Sequence, residues 1–312
     1  MPNLKNPVAP QELLIVGAAL KAGIFDTLHE KPAKLDDLAS ELSMDFRALW
    51  TVMEALISLG YVTSDNETLQ LTPETNELFF NEDSKNYIGY SLIHIFNVIH
   101  SWTNLPLILR TGQPPKTERD QQDIKGFMAA MKKNVMEIAE PLVSICLKGL
   151  SENPKVLDLG GGPLNYARLF TGAGATVTVQ DIPEVCAIME PTLLPGEKIK
   201  FVPGDFTEGV SPGEFELAFL GNICHIYGEE ENTLLFKRVH DSLRNGGRIV
   251  ILDFVRGMSP RADLFAVNML ANTKTGGTWT LEQYTNWLKT AGFDQIEVHD
   301  IAGRQIITAT SQ

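Results

Sequence analysis

Three aspartates and one histidine carry most of the chemistry written in this 312-residue chain. Asp158 stands two residues before the run Gly160-Gly161-Gly162, which Pro163 follows. The apolar residues Val156, Leu157 and Leu159 predict a short buried strand, and the glycines a turn into a helix. Glycines have no Cβ, so the backbone can come close to a ligand. The helix start behind them offers free N–H groups and a partial positive charge, and Pro163 suits its first turn. Asp181, 19 residues after Gly162, closes a second apolar strand (Thr176 to Val179). A carboxylate there is placed to accept hydrogen bonds from ribose hydroxyls. The dinucleotide fingerprint needs a third glycine, but Asn165 stands in its place. Asp158 in the turn would repel a pyrophosphate and suit a cationic or amino-bearing ligand. The pair favours a nucleoside ligand without phosphates, S-adenosylmethionine (SAM) first, over NAD or a ligand-free turn.

Behind these residues, strands are expected near 156–160, 176–180, 198–202, 215–220 and 248–254. Helices are expected near 164–172, 183–190, 229–244 and 281–291, and 295–299 and 305–310 read as two more strands. Such alternation predicts a parallel sheet with helices on both faces. Ligands then bind beyond the carboxyl ends of the strands, which puts Asp158, Asp181, Asp205 and the loop after Leu220 on one rim. In Gly204-Asp205-Phe206 the carboxylate or its neighbouring backbone would take an adenine amino group and Phe206 the ring face; the alternative is a solvated turn. His225 lies in the rim loop Gly221 to Gly228, where an imidazole titrating near neutral pH can act as a base.

The N-terminal part has apolar positions Leu13, Val16, Leu20 and Ile24 at helical spacing, then short helices at 35–42 and 45–59, the second capped by Asp45. A hairpin (Tyr61 to Ser64, Leu69 to Leu71) and a helix starting at Thr72-Pro73 complete a winged-helix pattern. That pattern raises DNA binding, but up to Lys85 there are 6 lysines and arginines against 14 aspartates and glutamates, which offers phosphates little. Two helical stretches follow, at 87–110 and 121–150, the second striped by Met128, Met131 and Met136. Met128 and Met131 are acceptor-pocket or core candidates alike.

The net charge of −13 disfavours nucleic acid and anionic membranes as partners. The apolar run Tyr87 to Leu109 is interrupted by His94, Asn97, His100, Asn104 and Pro106, so no membrane span is expected. No signal peptide is read either. Three scattered cysteines argue against a disulfide framework or a metal site and fit a reducing cytoplasm.

The segment Asp158-Leu159-Gly160-Gly161-Gly162-Pro163 resembles the glycine motif of class I SAM-dependent methyltransferases. From about residue 10 to 310 the chain resembles small-molecule O-methyltransferases of the caffeate and acetylserotonin type and their bacterial relatives. The resemblance implies an α/β fold: a Rossmann-like class I methyltransferase domain at 111–312 after an N-terminal all-α winged-helix dimerisation domain at 1–110. Helices within 111–150 would line the acceptor pocket, and the chain would be a homodimer. SAM would be the methyl donor and S-adenosylhomocysteine (SAH) the product. Cofactor contacts would fall on Asp158, Gly160, Gly162, Asp181, Ile182, Gly204, Asp205, Phe206 and Asn222. Cys224-His225-Ile226-Tyr227 aligns with the family's Cys-His-Asp-Trp segment, which makes His225 the general base. The chain departs from the family at Ile226, and at Asp253 and Thr278, where plant relatives carry glutamates; Asp253 is the candidate carboxylate orienting His225. Met269 and Asn272, before Gly276-Gly277 in an expected loop, are further pocket candidates, and Trp279 a candidate cover. The expected reaction is methyl transfer to the hydroxyl of a small aromatic acceptor. The rivals are carbon or nitrogen transfer on the same fold and a non-catalytic ligand-sensing regulator.

Overall fold

Gly23, with φ 75°, breaks the first expected helix in two. The structure is a computed structural model and describes residues 9–116, 121–132 and 138–312; Met136 lies outside the described residues. The described residues fall into two compact units, one from Met1–His100 and Glu118–Ala130, the other from Ser101–Thr117 and Met131–Gln312. This division falls inside a helix, at His100, and returns part of a later helix to the first unit.

The first unit runs α1 (Gln11–Lys21), α2 (Ile24–Glu30), β1 (Ala33–Lys34), α3 (Leu35–Glu41), α4 (Phe46–Ser58), β2 (Val62–Asp65), β3 (Thr68–Leu71) and α5 (Pro73–Phe79). Most of α6 (Gly89–Thr103) and of α8 (Gln121–Lys132) also belongs here, while α7 (Leu105–Thr111) belongs to the second unit. Asp45 caps α4 by accepting the Ala48 N–H at 2.8 Å, and Thr72 caps α5 through the Thr75 N–H. The unit is not all-α: β1 joins the β2–β3 hairpin in an antiparallel sheet of order β1-β3-β2. A two-residue strand is too short to register as alternation, so the sequence concealed it. Phe25, Leu38, Met53 and Leu56 form a dry centre, each worth about 1.5–3 kcal/mol of burial.

The second unit is built on β4 (Lys155–Leu159), β5 (Thr176–Asp181), β6 (Ile199–Pro203), β7 (Phe215–Gly221), β8 (Leu243–Asp253), β9 (Phe293–Ile301) and β10 (Arg304–Ser311). Their order is β6-β5-β4-β7-β8-β10-β9; the first five run parallel, and β10 pairs antiparallel with both neighbours. β7 is buried on both faces up to Leu220, which is why it reads as an unbroken apolar run. The strand order reverses between β4 and β7, and such a switch point opens a crevice at the strands' carboxyl ends. Helices α9 (Ala139–Leu147), α10 (Asn165–Gly172), α11 (Pro183–Met189), α12 (Glu229–Ser242), α13 (Ala262–Asn272) and α14 (Leu281–Thr290) complete the unit. α13 carries Met269 and Asn272 and ends before Gly276-Gly277, which lie in a loop; the helix is apolar nearly all round, so no stripe announces it in the sequence. α10 begins two residues after Pro163, behind Leu164 in the left-handed region (φ 62°), so Pro163 belongs to the turn. Cys146, Cys186 and Cys224 are free and buried. Among the described residues no single helix is long and apolar enough to cross a membrane, and no acidic, histidine or cysteine cluster could hold a metal ion.

Candidate active site

The glycine turn after β4 is locked into its surroundings. Gly160 and Gly162 take φ of 66° and 45°, conformations that resist a side chain. A Cβ on Gly160 would meet Ile223 Cδ1 at 2.3 Å, and one on Gly161 would meet Val179 Cγ1 at 2.7 Å and Asp158 Oδ2 at 2.9 Å. The Gly160 N–H donates to the Gln180 carbonyl at 2.8 Å. Asp181 accepts the Gly162 N–H on Oδ2 at 2.9 Å and the Ile182 N–H on Oδ1 at 2.8 Å, and its own carbonyl accepts the Gly204 N–H. Asp158, Gly160, Gly162, Asp181, Ile182 and Gly204 thus form one continuous cradle.

Asp158 is 1% exposed, and its Oδ2 has no hydrogen-bond partner. Burial first, and then the charge of Asp181, push its carboxyl well above the usual range. Burial also raises Asp181, opposed by the two N–H bonds it accepts. Leaving a buried acceptor unsatisfied costs about 1–3 kcal/mol, and an ammonium or other cation brought to the turn would remove that cost. Ile182 stays 40% exposed, an apolar surface at the rim. Asp205 is exposed and accepts the Thr207 N–H and hydroxyl on Oδ1, at 2.7 and 2.6 Å. Phe206 is buried and meets Tyr227 edge-on at 6.1 Å. The Tyr227 phenol is pushed up to about 12 by burial and then by Asp205 and Asp181, so it belongs to the same rim. The alignment of Tyr227 with the family's tryptophan was the signal that could have found it.

The second station adjoins the first through Ile223, which covers Gly160. Beyond β7 the chain turns at Asn222 (φ 64°) into a single 3-10 turn, Cys224–Ile226. His225 is 6% exposed, and its Nδ1 lies 2.7 Å from Asp253 Oδ1, at the end of β8. A carboxylate has no proton to give, so Nδ1–H is the donor, and in the neutral imidazole the lone pair is then on Nε2. Asp253 accepts three further bonds: from the Phe254 N–H on Oδ1 (2.8 Å), and from the His225 N–H and the Tyr284 hydroxyl on Oδ2 (both 3.1 Å). Tyr284 is fully buried and was missed in the sequence; a tyrosine on the inner stripe of α14 needs a polar partner, and that was the available clue. Phe265 of α13 sets its ring perpendicular to His225 at 4.8 Å.

The loop before α14 holds this segment from behind. The Gly277 N–H donates to the His225 carbonyl at 3.0 Å. Trp279 donates to the Cys224 carbonyl at 3.1 Å and packs on Trp287, so it braces the histidine segment. Thr278 is buried and donates to the Ala262 carbonyl. Asn222 directs its side chain to the Arg304 guanidinium. Asn272 donates to Asn268 within α13, and the Asn268 side chain accepts from Trp102 Nε1 at 3.0 Å. Met269 is buried on the same helix. The Met131 carbonyl accepts from the Asn165 side chain at 3.1 Å, beside the glycine turn. Met128 is buried in the first unit.

A model of the O-methyltransferase domain matches residues 112–294, more than half of the chain. The acetylserotonin O-methyltransferase of Macaca mulatta is 32% identical over 309 residues, covering 89% of this chain and 88% of that protein. The tetracenomycin polyketide synthesis 8-O-methyl transferase TcmO of Streptomyces glaucescens is 24% identical over 308 residues, covering 92% and 89%. The crystal structure of human N-acetylserotonin methyltransferase in complex with SAM superposes with a TM-score of 0.67 at 23% identity, covering 96% of this chain and 94% of that one. The chain belongs to the O-methyltransferase family, and it is a methyltransferase.

Proposed function

We propose that the protein transfers a methyl group from SAM to the hydroxyl of a small aromatic acceptor, with His225 as general base. The residues present fit this cofactor. The unsatisfied Asp158 carboxylate suits an ammonium, Asp181 keeps lone pairs free for ribose hydroxyls, and a side chain on Gly160 or Gly161 would collide with its neighbours. Ile182, Gly204, Asp205, Phe206 and Tyr227 would enclose the adenine side. When bound, SAM supplies a methyl group on a sulfonium, an electrophile that needs no further activation. The protein's own tasks are then alignment and proton removal.

The observation that carries this reading is the His225–Asp253 pair at 2.7 Å, adjoining the glycine turn. With Nδ1–H held by Asp253, Nε2 is the free base and would take the acceptor's hydroxyl proton. A neutral phenol is a weak acid, so its proton is best removed in concert with methyl transfer. Asp253 steadies the imidazolium so formed, and Tyr284 fixes Asp253. Met131, Met269 and Asn272 remain candidates for the acceptor's walls. The acceptors named for the homologues, acetylserotonin and a tetracenomycin polyketide, are compatible with an aromatic hydroxyl. The first unit is acidic and suits a dimerisation role better than nucleic-acid binding, and the buried, free thiols suit the cytoplasm.

Methyl transfer from labelled SAM to a panel of phenols, catechols and hydroxylated heteroaromatics tests the reading. Transfer to oxygen should fall by roughly 10²–10⁴-fold in His225→Ala, with SAM affinity kept. Undiminished transfer in the variant would end the general-base assignment and favour transfer by alignment alone, or to carbon or nitrogen. SAM binding with no turnover on any acceptor would favour the non-catalytic reading.

A further inference from the structure

The cofactor side of the rim is lined by carboxylates, but a cation stands at the other end. Arg304 opens β10, one residue before Gln305, which pairs in register with Asp253 at the end of β8. It therefore sits at the carboxyl edge of the sheet, level with the carboxylate that orients His225. Its guanidinium lies over the Phe254 ring, 5.0 Å from the centroid. Phe254 touches Phe265 at 4.8 Å, and Phe265 touches His225 at 4.8 Å. On its other side the guanidinium donates to the side chain of Asn222, three residues before His225.

None of these partners is charged. Among the described residues Arg304 makes no ion pair, and its Nε is buried with no hydrogen-bond acceptor at all. The nearby carboxylate on the hairpin, Asp300, is turned elsewhere: it accepts the Gln305 side chain at 2.6 Å and the Gly303 N–H. Arg304 is half-buried, and a guanidinium with one nitrogen buried and unpaired and no anion beside it is unfavourably placed; its planar fork fits a carboxylate with two parallel N–H bonds. Asn222, held at positive φ between β7 and the histidine segment, fixes one edge of that fork.

We propose that Arg304, held by Asn222 and Phe254, is an acceptor-anchoring residue: it binds a carboxylate borne by the aromatic acceptor, so the substrate class is hydroxyaryl carboxylic acids. This rests on the reading of His225 as the acceptor side of the rim. Anchoring the acid at Arg304 leaves the ring across Phe254 and Phe265 and its hydroxyl toward His225.

The test is a binding comparison on the protein loaded with SAH. The probes are salicylate, caffeate and a hydroxynaphthoate, each beside its neutral methyl ester, titrated by calorimetry. At least one acid should bind roughly ten- to hundredfold more tightly than its ester, the range expected for a charged hydrogen-bonded contact. Arg304→Gln should bring that acid to the level of its ester, and Arg304→Lys should keep part of the preference, with SAH affinity unchanged in both. Esters that bind as well as acids to the wild-type protein overturn the proposal without any variant, as does a preference that survives Arg304→Gln. The ratio is read without turnover, so it is independent of the general-base reading. Failure of that reading appears separately, as methyl transfer that persists in His225→Ala.

Discussion

Asp158 is the residue whose environment asks most of a ligand. Its carboxyl is raised by burial and by Asp181, so the folded protein holds a proton that the unfolded chain releases near pH 4. Its contribution to stability is complete below that pH and declines as pH rises through the folded value. Asp158→Asn removes the titration while keeping the shape. In the cofactor-free protein the melting temperature of this variant should gain on wild type as pH rises above about 4, and stand a few degrees ahead, roughly 3 °C, once the carboxyl has ionised in the wild-type fold. The same variant should bind SAH roughly tenfold more weakly, or worse. Thermal scans across pH, paired with titration of SAH, check both signs. A variant that melts below wild type at pH 8 would show that the carboxylate is satisfied without ligand.

At the scale of elements, the histidine segment is held by neighbours that come from far along the chain. A Cβ on Gly276 would stand 2.3 Å from the His225 carbonyl oxygen and 2.7 Å from that of Ile226. Both are backbone atoms and cannot step aside as a flexible side chain could. Gly276→Ala should therefore cost about 1–3 kcal/mol of stability and reduce kcat by tenfold or more, with SAH affinity near that of wild type. Equal kcat in the variant would mean that the loop is slack. The same element shows how far the sequence could be read. The strands and glycine turn declared themselves through unbroken apolar runs and punctuation, and Asp158, Asp181 and His225 followed from their places at or after strand ends; Asp253 came from the family resemblance alone. Gly276 reads only as a loop residue, because its need to be glycine comes from contact with a segment some 50 residues earlier. Tyr284 and α13 were hidden for related reasons: one is an ordinary member of an apolar stripe, the other is apolar nearly all round. Arg304 was silent, since a lone arginine on a strand has no pattern until the fold sets Asn222 and Phe254 beside it.

On the scale of the whole molecule, the proposed homodimer needs an apolar surface. The first unit shows one on α4, where Phe46 and Trp50, a helical turn apart, are each about half exposed (49% and 50%). Light scattering should give twice the 34.5 kDa chain mass for wild type and the single chain for Trp50→Glu. A wild-type monomer would remove the dimer from the account and leave the methyl-transfer chemistry untouched. The three thiols carry a different consequence. Cys146 lies on α9, Cys186 on α11 and Cys224 next to His225, all buried, and burial pushes each thiol up. Thiolate is the species that reacts, so none of them meets an alkylating reagent while the protein stays closed. The chain thereby carries its own stopwatches: the rate at which each sulfur becomes labelled times the local opening of its own segment, and the one at Cys224 keeps time for the neighbouring histidine.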